Sequence, residues 1–209
     1  MTIIKICGTK TLKDALAAIN AGADYLGFNF YPKSVRFIEK SACAEITSVL
    51  KREHPQIKLV GVFVNSSVDE IKDILQTCNL DLAQLHGDET PETFAQLTPY
   101  AFRAFRGIPE SNEGYERNEA PAMLIDAAVK GVYGGSGVTA DWTAAAELAK
   151  KYPLLLAGGL TPENVADAVR QVRPWGVDVA SGVESAPGEK DAGKMIQFVK
   201  EVKIVNGKW

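Results

Sequence analysis

The stretch PLLLAGGLTPENV, residues 153–165, predicts one complete strand–turn–helix unit. Its apolar run at 153–157 has the length and composition of a strand that is buried on both faces of a parallel sheet. The pair Gly158-Gly159 then marks a turn. Thr161 followed by Pro162 is typical of an N-cap with proline in the first helical position. One buried strand, one glycine turn and one helix form the repeating unit of an α/β protein.

Seven further apolar runs of this kind occur along the chain. They lie near residues 3–7, 25–30, 58–64, 82–85, 101–105, 122–126 and 176–180. Helical periodicity separates most of them, and only 109–120 lacks an apolar stripe, which favours a loop or a short irregular helix there. Eight alternating units predict a closed (β/α)₈ TIM barrel, with residues 1–209 as a single compact domain. An open doubly wound sheet is the alternative, but the glycine loops do not follow its GxGxxG pattern after the first strand.

The composition excludes several classes of protein. The 209 residues are 46% hydrophobic, which is too apolar for disorder, and the formal net charge of −3 argues against a general nucleic-acid binder. No apolar run reaches the roughly 18 to 20 residues that cross a bilayer, so we expect no membrane partner. Three widely spaced cysteines and no visible export signal favour a cytoplasmic protein with reduced thiols. Only His54 and His86 are histidines, so a metal site with several histidine ligands is not expected.

Strand parity predicts which polar side chains face the centre of the barrel. Alternate residues of a strand point to opposite faces, and the purely apolar sets should pack against the outer helices. The inward set is then Lys5, Cys7, Asn29, Gln84, His86, Asp126 and Asp178. Lys5 and Asp178 come from the first and eighth strands, which meet only when the barrel closes, and we expect them to form an interior ion pair. The alternative is that one or both side chains extend outward to solvent.

The carboxyl ends of the seventh and eighth strands carry a candidate phosphate site. Gly158 and Gly159 follow the seventh strand, and Ser181 and Gly182 follow the eighth. Glycine lets backbone N–H groups approach an anion closely, and these two loops are the usual phosphate site of TIM barrels. A plain turn is the alternative for either loop taken alone.

Cys7 and Asp126 are candidates for an acid/base pair across the barrel mouth. A thiolate near positive charge can remove a proton, and a protonated Asp can donate one. Cys7 as a small buried hydrophobe and Asp126 as a turn or cap residue are the structural alternatives. Arg36, just beyond the second strand, can bind a carboxylate through two hydrogen bonds, or it can be a solvated surface residue. His86 fits a structural role as well as a catalytic one.

Six motifs in chain order resemble the phosphoribosylanthranilate isomerase family. They are KICG at 5–8, GFNFYPKS at 27–34, QLHGD at 84–88, YGGSG at 133–137, GGLTPEN at 158–164 and DVASGVE at 178–184. The resemblance implies a TIM barrel of tryptophan biosynthesis that performs an Amadori rearrangement of N-(5-phosphoribosyl)anthranilate without cofactor or metal. Its product would be 1-(2-carboxyphenylamino)-1-deoxyribulose 5-phosphate.

The same resemblance implies a role for each candidate residue. Asp126 would be the general acid that opens the ribose ring, and Cys7 the general base that removes the C2 proton. Arg36 would hold the anthranilate carboxylate, and Asp178 would line the site near the sugar. The phosphate would lie against the two glycine loops, whose residues are Gly158, Gly159, Ser181 and Gly182.

Three other functions remain as alternatives. The histidine-pathway aminoaldose isomerase uses two aspartates, whereas the first strand here ends in Cys7. A silent barrel that senses phosphorylated metabolites would have no reason to keep both Cys7 and Asp126. A thiol redox enzyme would require a resolving cysteine close to Cys7 in sequence, and Cys43 and Cys78 are distant from it.

Overall fold

Eight parallel strands close into a barrel, each paired with the next and the eighth with the first. The structure is a computed structural model, and it describes residues 1–117, 119–126 and 142–207. The strands are β1 (Ile3–Cys7), β2 (Tyr25–Asn29), β3 (Lys58–Phe63), β4 (Leu82–Leu85), β5 (Ala101–Arg106), β6 (Met123–Asp126), β7 (Leu154–Ala157) and β8 (Gly176–Val179). This closed order confirms the predicted TIM barrel.

Helices surround the barrel in the described part of the chain. They are α1 (Leu12–Ala21), α2 (Lys40–Glu53), α3 (Val68–Thr77), α4 (Pro91–Leu97), α5 (Trp142–Ala149), α6 (Val165–Val172) and α7 (Ala192–Asn206). None of these helices is long and apolar enough to cross a membrane. The described residues of 109–120 contain no helix, so the expected loop is confirmed there. After β8 the chain forms a small antiparallel hairpin from β9 (Glu184–Ala186) and β10 (Glu189–Lys190).

The start of α6 differs from the sequence prediction. The helix begins at Val165 after the cap residue Asn164, and not at Pro162. Asn164 is the reason, because its side-chain oxygen accepts the Thr161 N–H at 2.8 Å and its amide donates to the Gly159 carbonyl at 2.9 Å. Residues 161–164 are therefore a turn that holds the glycine loop, and the helix starts only after it.

The core has two layers that follow strand parity. One cluster fills the space between the barrel and the helices, and it contains the apolar faces that parity assigned outward, such as Ile4 and Ile6 on β1 and Met123 and Ile125 on β6. The barrel interior holds a second cluster. Its buried members are Val60, Leu82, Phe102, Ala104, Leu124, Leu155 and Ala157. This inner packing closes the barrel below the strand ends, so polar inward residues are grouped at the carboxyl-terminal mouth.

Candidate active site

A cavity of about 290 Å³ opens at the carboxyl ends of the strands. Most of the side chains that parity predicted to face inward line it, together with the two glycine loops. The lining includes Cys7, Asn29, Arg36, Gln84, His86, Asp126, Gly158, Gly159, Asp178 and Ser181. Gly182 follows Ser181 in the same loop. Closure of the barrel therefore brings the sequence-predicted site residues into one place, although they come from distant parts of the chain.

A larger concavity of about 490 Å³ lies away from the strand ends, next to Met1, Lys150 and Trp175. None of the candidate residues lines it. Active sites of TIM barrels lie at the carboxyl-terminal face, so the smaller cavity is the candidate site.

Cys7 and Asp126 end strands that are not neighbours. Two strands, β7 and β8, separate β1 from β6 on one side of the barrel, so a ligand in the cavity lies between the two side chains. Burial raises the pKa of the Cys7 thiol, and the nearby ammonium groups of Lys5 and Lys190 act in the opposite direction. The effect of burial is the larger, so the thiol has a raised pKa although two cations lie close by.

Lys5 and Asp178 form the interior ion pair that parity predicted. Their residues are opposite each other in the β1–β8 register, and Lys5 Nζ donates to Asp178 Oδ1 at 2.8 Å. The Lys5 side chain is fully buried and Asp178 is 10% exposed. The outward alternative is therefore wrong for both side chains.

Arg36 is paired with Glu184 and is not a solvated surface residue. Its Nε and Nη2 donate to the two carboxylate oxygens of Glu184, each at 2.7 Å. Lys190, whose side chain is 1% exposed, donates to the same carboxylate at 2.9 Å and to the Ala180 carbonyl at 2.9 Å. Burial raises the pKa of Glu184, but the hydrogen bonds from Arg36 and Lys190 outweigh it and lower this pKa to about 2. One carboxylate therefore fixes two cations at the edge of the cavity.

The two glycine loops pack against each other. Gly158 and Gly159 both have positive φ, at 97° and 63°, a conformation that favours glycine. At Gly182 a Cβ would overlap the backbone carbonyl of Leu160, so the loop after β8 contacts the loop after β7 through bare backbone. The result is a continuous backbone surface along one side of the cavity.

His86 is paired with Gln84 inside the cavity. The Gln84 amide nitrogen lies 3.0 Å from His86 Nδ1, and burial lowers the pKa of His86, which favours the neutral imidazole. With the amide as donor, Nδ1 accepts and Nε2 carries the ring proton. The structure thus places His86 in the site as a neutral side chain.

A model of the N-(5'-phosphoribosyl)anthranilate (PRA) isomerase family matches residues 4–201. The chain belongs to this family. As a PRA isomerase it is an isomerase of tryptophan biosynthesis. Among curated relatives, the N-(5'-phosphoribosyl)anthranilate isomerase of Geotalea uraniireducens is 45% identical over 204 residues, which cover 97% of this chain and 99% of the relative.

Solved structures of PRA isomerases share the fold. The phosphoribosyl anthranilate isomerase of Thermotoga maritima is similar with a TM-score of 0.82 at 35% identity, covering 97% of this chain and 99% of that one. Another PRA isomerase was solved in complex with reduced 1-(o-carboxyphenylamino)-1-deoxyribulose 5-phosphate. It has a TM-score of 0.80 at 33% identity, with the same coverage.

Two residues of this PRA isomerase site are missing from the sequence candidates. Glu184 lies inside the DVASGVE motif, but nothing in its spacing identifies Arg36 as its partner, 148 positions earlier. Lys190 lies in a strand of two residues, which is too short for an alternation of polar and apolar residues to predict it. The predicted YGGSG motif at 133–137 lies outside the described residues.

Proposed function

We propose that this chain converts N-(5-phosphoribosyl)anthranilate to 1-(2-carboxyphenylamino)-1-deoxyribulose 5-phosphate, with Asp126 as general acid and Cys7 as general base. The observation that carries the assignment is the position of these two groups on opposite sides of one cavity. An Amadori rearrangement requires a proton donor at the ring oxygen and a proton acceptor at C2. A sugar that lies between the two side chains meets both requirements.

The reaction begins with two proton transfers. Asp126 donates a proton to the furanose ring oxygen, the C1–O bond breaks, and the anilino nitrogen supplies the electron pair that forms a protonated Schiff base. The Cys7 thiolate then removes the C2 proton, and the C2–H electron pair neutralises the Schiff base to give an enolamine. Tautomerisation of the enolamine to the ketone adds a proton at C1 and removes one from the C2 hydroxyl, so that Cys7 and Asp126 return to their starting protonation states. Apart from cleavage of the C1–O ring bond, the steps are proton transfers, so the proposal includes no cofactor or metal.

Two anion sites support a substrate with charge at both ends. Arg36 donates from Nε and Nη2 to Glu184. The other edge of the guanidinium, formed by Nη1 and the second Nη2 proton, is suited to the anthranilate carboxylate. The backbone of Gly158, Gly159, Ser181 and Gly182 is suited to the phosphate at the other end. Asp178 would accept from a sugar hydroxyl while it keeps Lys5 in place.

The proposal extends to the setting in which the chain works. We place it in the cytoplasm, as one barrel domain over residues 1–209 whose partner is a small phosphorylated substrate. Neither nucleic acid nor a membrane is a partner in this proposal, since the net charge of −3 provides no general attraction to polyanions.

The test is turnover of phosphoribosylanthranilate generated in situ, followed as loss of anthranilate-type fluorescence under mild reducing conditions. We expect wild-type turnover, and losses of about 10²-fold or more in kcat for Cys7→Ala and Asp126→Asn, the scale of a lost acid or base. No turnover by wild type would reject the function, and near-normal turnover by either variant would reject that role.

Matched controls separate chemistry from folding. Cys43→Ala removes another buried cysteine, on α2 and outside the cavity, and Asp167→Asn removes an exposed carboxylate on α6. Both should keep kcat within about twofold, because neither group is within reach of the reacting atoms.

A further inference from the structure

A buried lysine that the proposed reaction does not use lies in the barrel interior next to residues that line the cavity. Lys5 lies two residues before Cys7 on the same face of β1, and its side chain is completely buried. A buried ammonium is costly unless it is paired. Asp178 supplies one partner at 2.8 Å, and an ammonium has three protons to donate.

The sulfur of Cys7 lies in the same space as the ammonium, and Gly27 is the reason that both groups fit there. Gly27 is opposite Cys7 in the β1–β2 register. A Cβ on Gly27 would lie 2.7 Å from Cys7 Sγ and 3.1 Å from Lys5 Nζ, so both atoms occupy the space that any side chain there would fill. The ammonium and the sulfur thus share one small space against a bare backbone, and the two groups interact.

The charged and titratable groups around the sulfur come from six places in the fold, while β3 and β7 contribute only uncharged residues to the cavity lining. These groups are Lys5 on β1, Arg36 after β2, His86 after β4, Asp126 on β6, Asp178 on β8 and Lys190 on β10. His86 is neutral and Asp126 lies across the mouth. Arg36 and Lys190 are both committed to Glu184, whose carboxylate offsets part of their charge. Lys5 is therefore the cation with the largest effect on the sulfur, ahead of Lys190.

Lys5 keeps its proton although it is buried. Burial lowers the pKa of the Lys5 ammonium, but the charges of Asp178 and Cys7 more than compensate and leave this pKa above its ordinary value. Asp178 has a double effect on Cys7, since its own charge disfavours the thiolate while it holds in place the ammonium that favours it.

We infer that Lys5 is a positioning residue for the general base, whose ammonium stabilises the Cys7 thiolate and orients it toward the cavity. This inference rests on the proposed role of Cys7. The thiol gives its proton to solvent, and the thiolate that remains accepts a hydrogen bond from Lys5. When the thiolate later takes the C2 proton from the substrate, sulfur becomes a neutral thiol again. Lys5 keeps all three protons throughout.

The test is the pH dependence of Cys7 alkylation by iodoacetamide without substrate, measured on the Cys7 peptide by mass spectrometry. Only a thiolate reacts, so the midpoint of the rate profile reports its formation. Lys5→Met should move the midpoint upward by about one pH unit or more, the scale of a lost neighbouring charge. The acidic limb of the kcat/KM profile should move in the same direction.

A second variant keeps the test decisive if Lys5→Met does not fold, because that change leaves Asp178 buried and unpaired. Lys5→Met/Asp178→Asn removes both charges, and its midpoint should still lie above that of wild type, since Lys5 affects the thiol more strongly than Asp178 does. Lys150→Met is the matched control, as it removes an exposed lysine paired with Glu147 at 2.6 Å and should leave the midpoint unchanged.

A midpoint equal to or below that of wild type in the folded variants would overturn the inference. This outcome is distinguishable from failure of the proposed function, because alkylation is measured without turnover. If Cys7→Ala were fully active, the role of Cys7 as base would fail whatever the alkylation midpoint showed.

Discussion

Arg36 and Glu184 are joined by two parallel hydrogen bonds of 2.7 Å across 148 positions of sequence. The paired geometry restricts rotation of the guanidinium and leaves its terminal edge toward the cavity. Glu184 is itself anchored by Lys190 and by the Gly188 N–H at 3.1 Å, both in the hairpin after β8. The hairpin therefore sets the direction in which Arg36 can bind a carboxylate.

Loss of Glu184 should weaken recognition of the anthranilate carboxylate. We expect Glu184→Gln to raise KM for phosphoribosylanthranilate at least about tenfold, since hydrogen bonds to charged groups contribute about 1.5–3 kcal/mol. With N-(5-phosphoribosyl)aniline, which has no carboxylate, wild type and variant should have the same KM. Glu189→Gln, an exposed change in the same hairpin, is the control and should alter neither value. Equal KM increases for both substrates would show that the change damages the site generally.

Glu184 also predicts a pH dependence of stability. Its pKa is about 2 in the folded chain against 4.5 for an ordinary glutamate, so folding favours the ionised form. As pH falls, the unfolded chain binds the proton before the folded chain does. Above pH 4.5 the ionised Glu184 therefore contributes about 3 kcal/mol to the free energy of unfolding, and this contribution is lost progressively as the pH falls to 2. Urea unfolding between pH 2 and 6 measures it. Compared with wild type, Glu184→Gln should be less stable at pH 6, with the difference narrowing toward pH 2. A difference that stays constant across this range would contradict the prediction.

Two ion pairs of equal length should contribute differently to the free energy of unfolding, because one is buried and the other is exposed. Arg103 donates to Glu89 and Arg170 donates to Asp167, each at 2.6 Å, but the Glu89 carboxylate is 1% exposed and that of Asp167 is 72% exposed. Arg103→Met leaves a buried carboxylate without its cation and should lower the free energy of unfolding by about 3–5 kcal/mol. Arg170→Met should change it by less than about 1 kcal/mol. Chemical denaturation of both variants measures the contrast, and equal losses would refute it.

The contact between the glycine loops should be essential for binding the phosphate. Gly182→Ala places a methyl group on the Leu160 carbonyl, so the loop after β8 must move away from the loop after β7. We expect KM for the substrate, and the inhibition constant of inorganic phosphate, to rise about tenfold or more, from a strain of the order of 1–3 kcal/mol. Gly207→Ala at the end of α7 meets only ordinary contacts and is the control. Unchanged inhibition by phosphate in Gly182→Ala would place the phosphate elsewhere.

Local pattern was sufficient to predict the barrel and the inward side chains. Strand parity assigned Lys5 and Asp178 to the interior, and β1–β8 pairing in a closed barrel makes them neighbours in register. Cys7 and Asp126 were identified in the same way, because a residue at the carboxyl end of a barrel strand faces the mouth. The barrel and the placement of these side chains were predictable because a period of two residues and the order of strands are both properties of short, contiguous segments.

The sequence by itself therefore determined the fold, most of the polar residues in the mouth and, through its motifs, the family. Only the tertiary structure decided how those residues are held. The pairing of Arg36 with Glu184, the burial of Lys190 and the late start of α6 at Val165 depend on loop conformations and on contacts between distant segments. No local period encodes such contacts, since they form only after the barrel closes and brings the loops together.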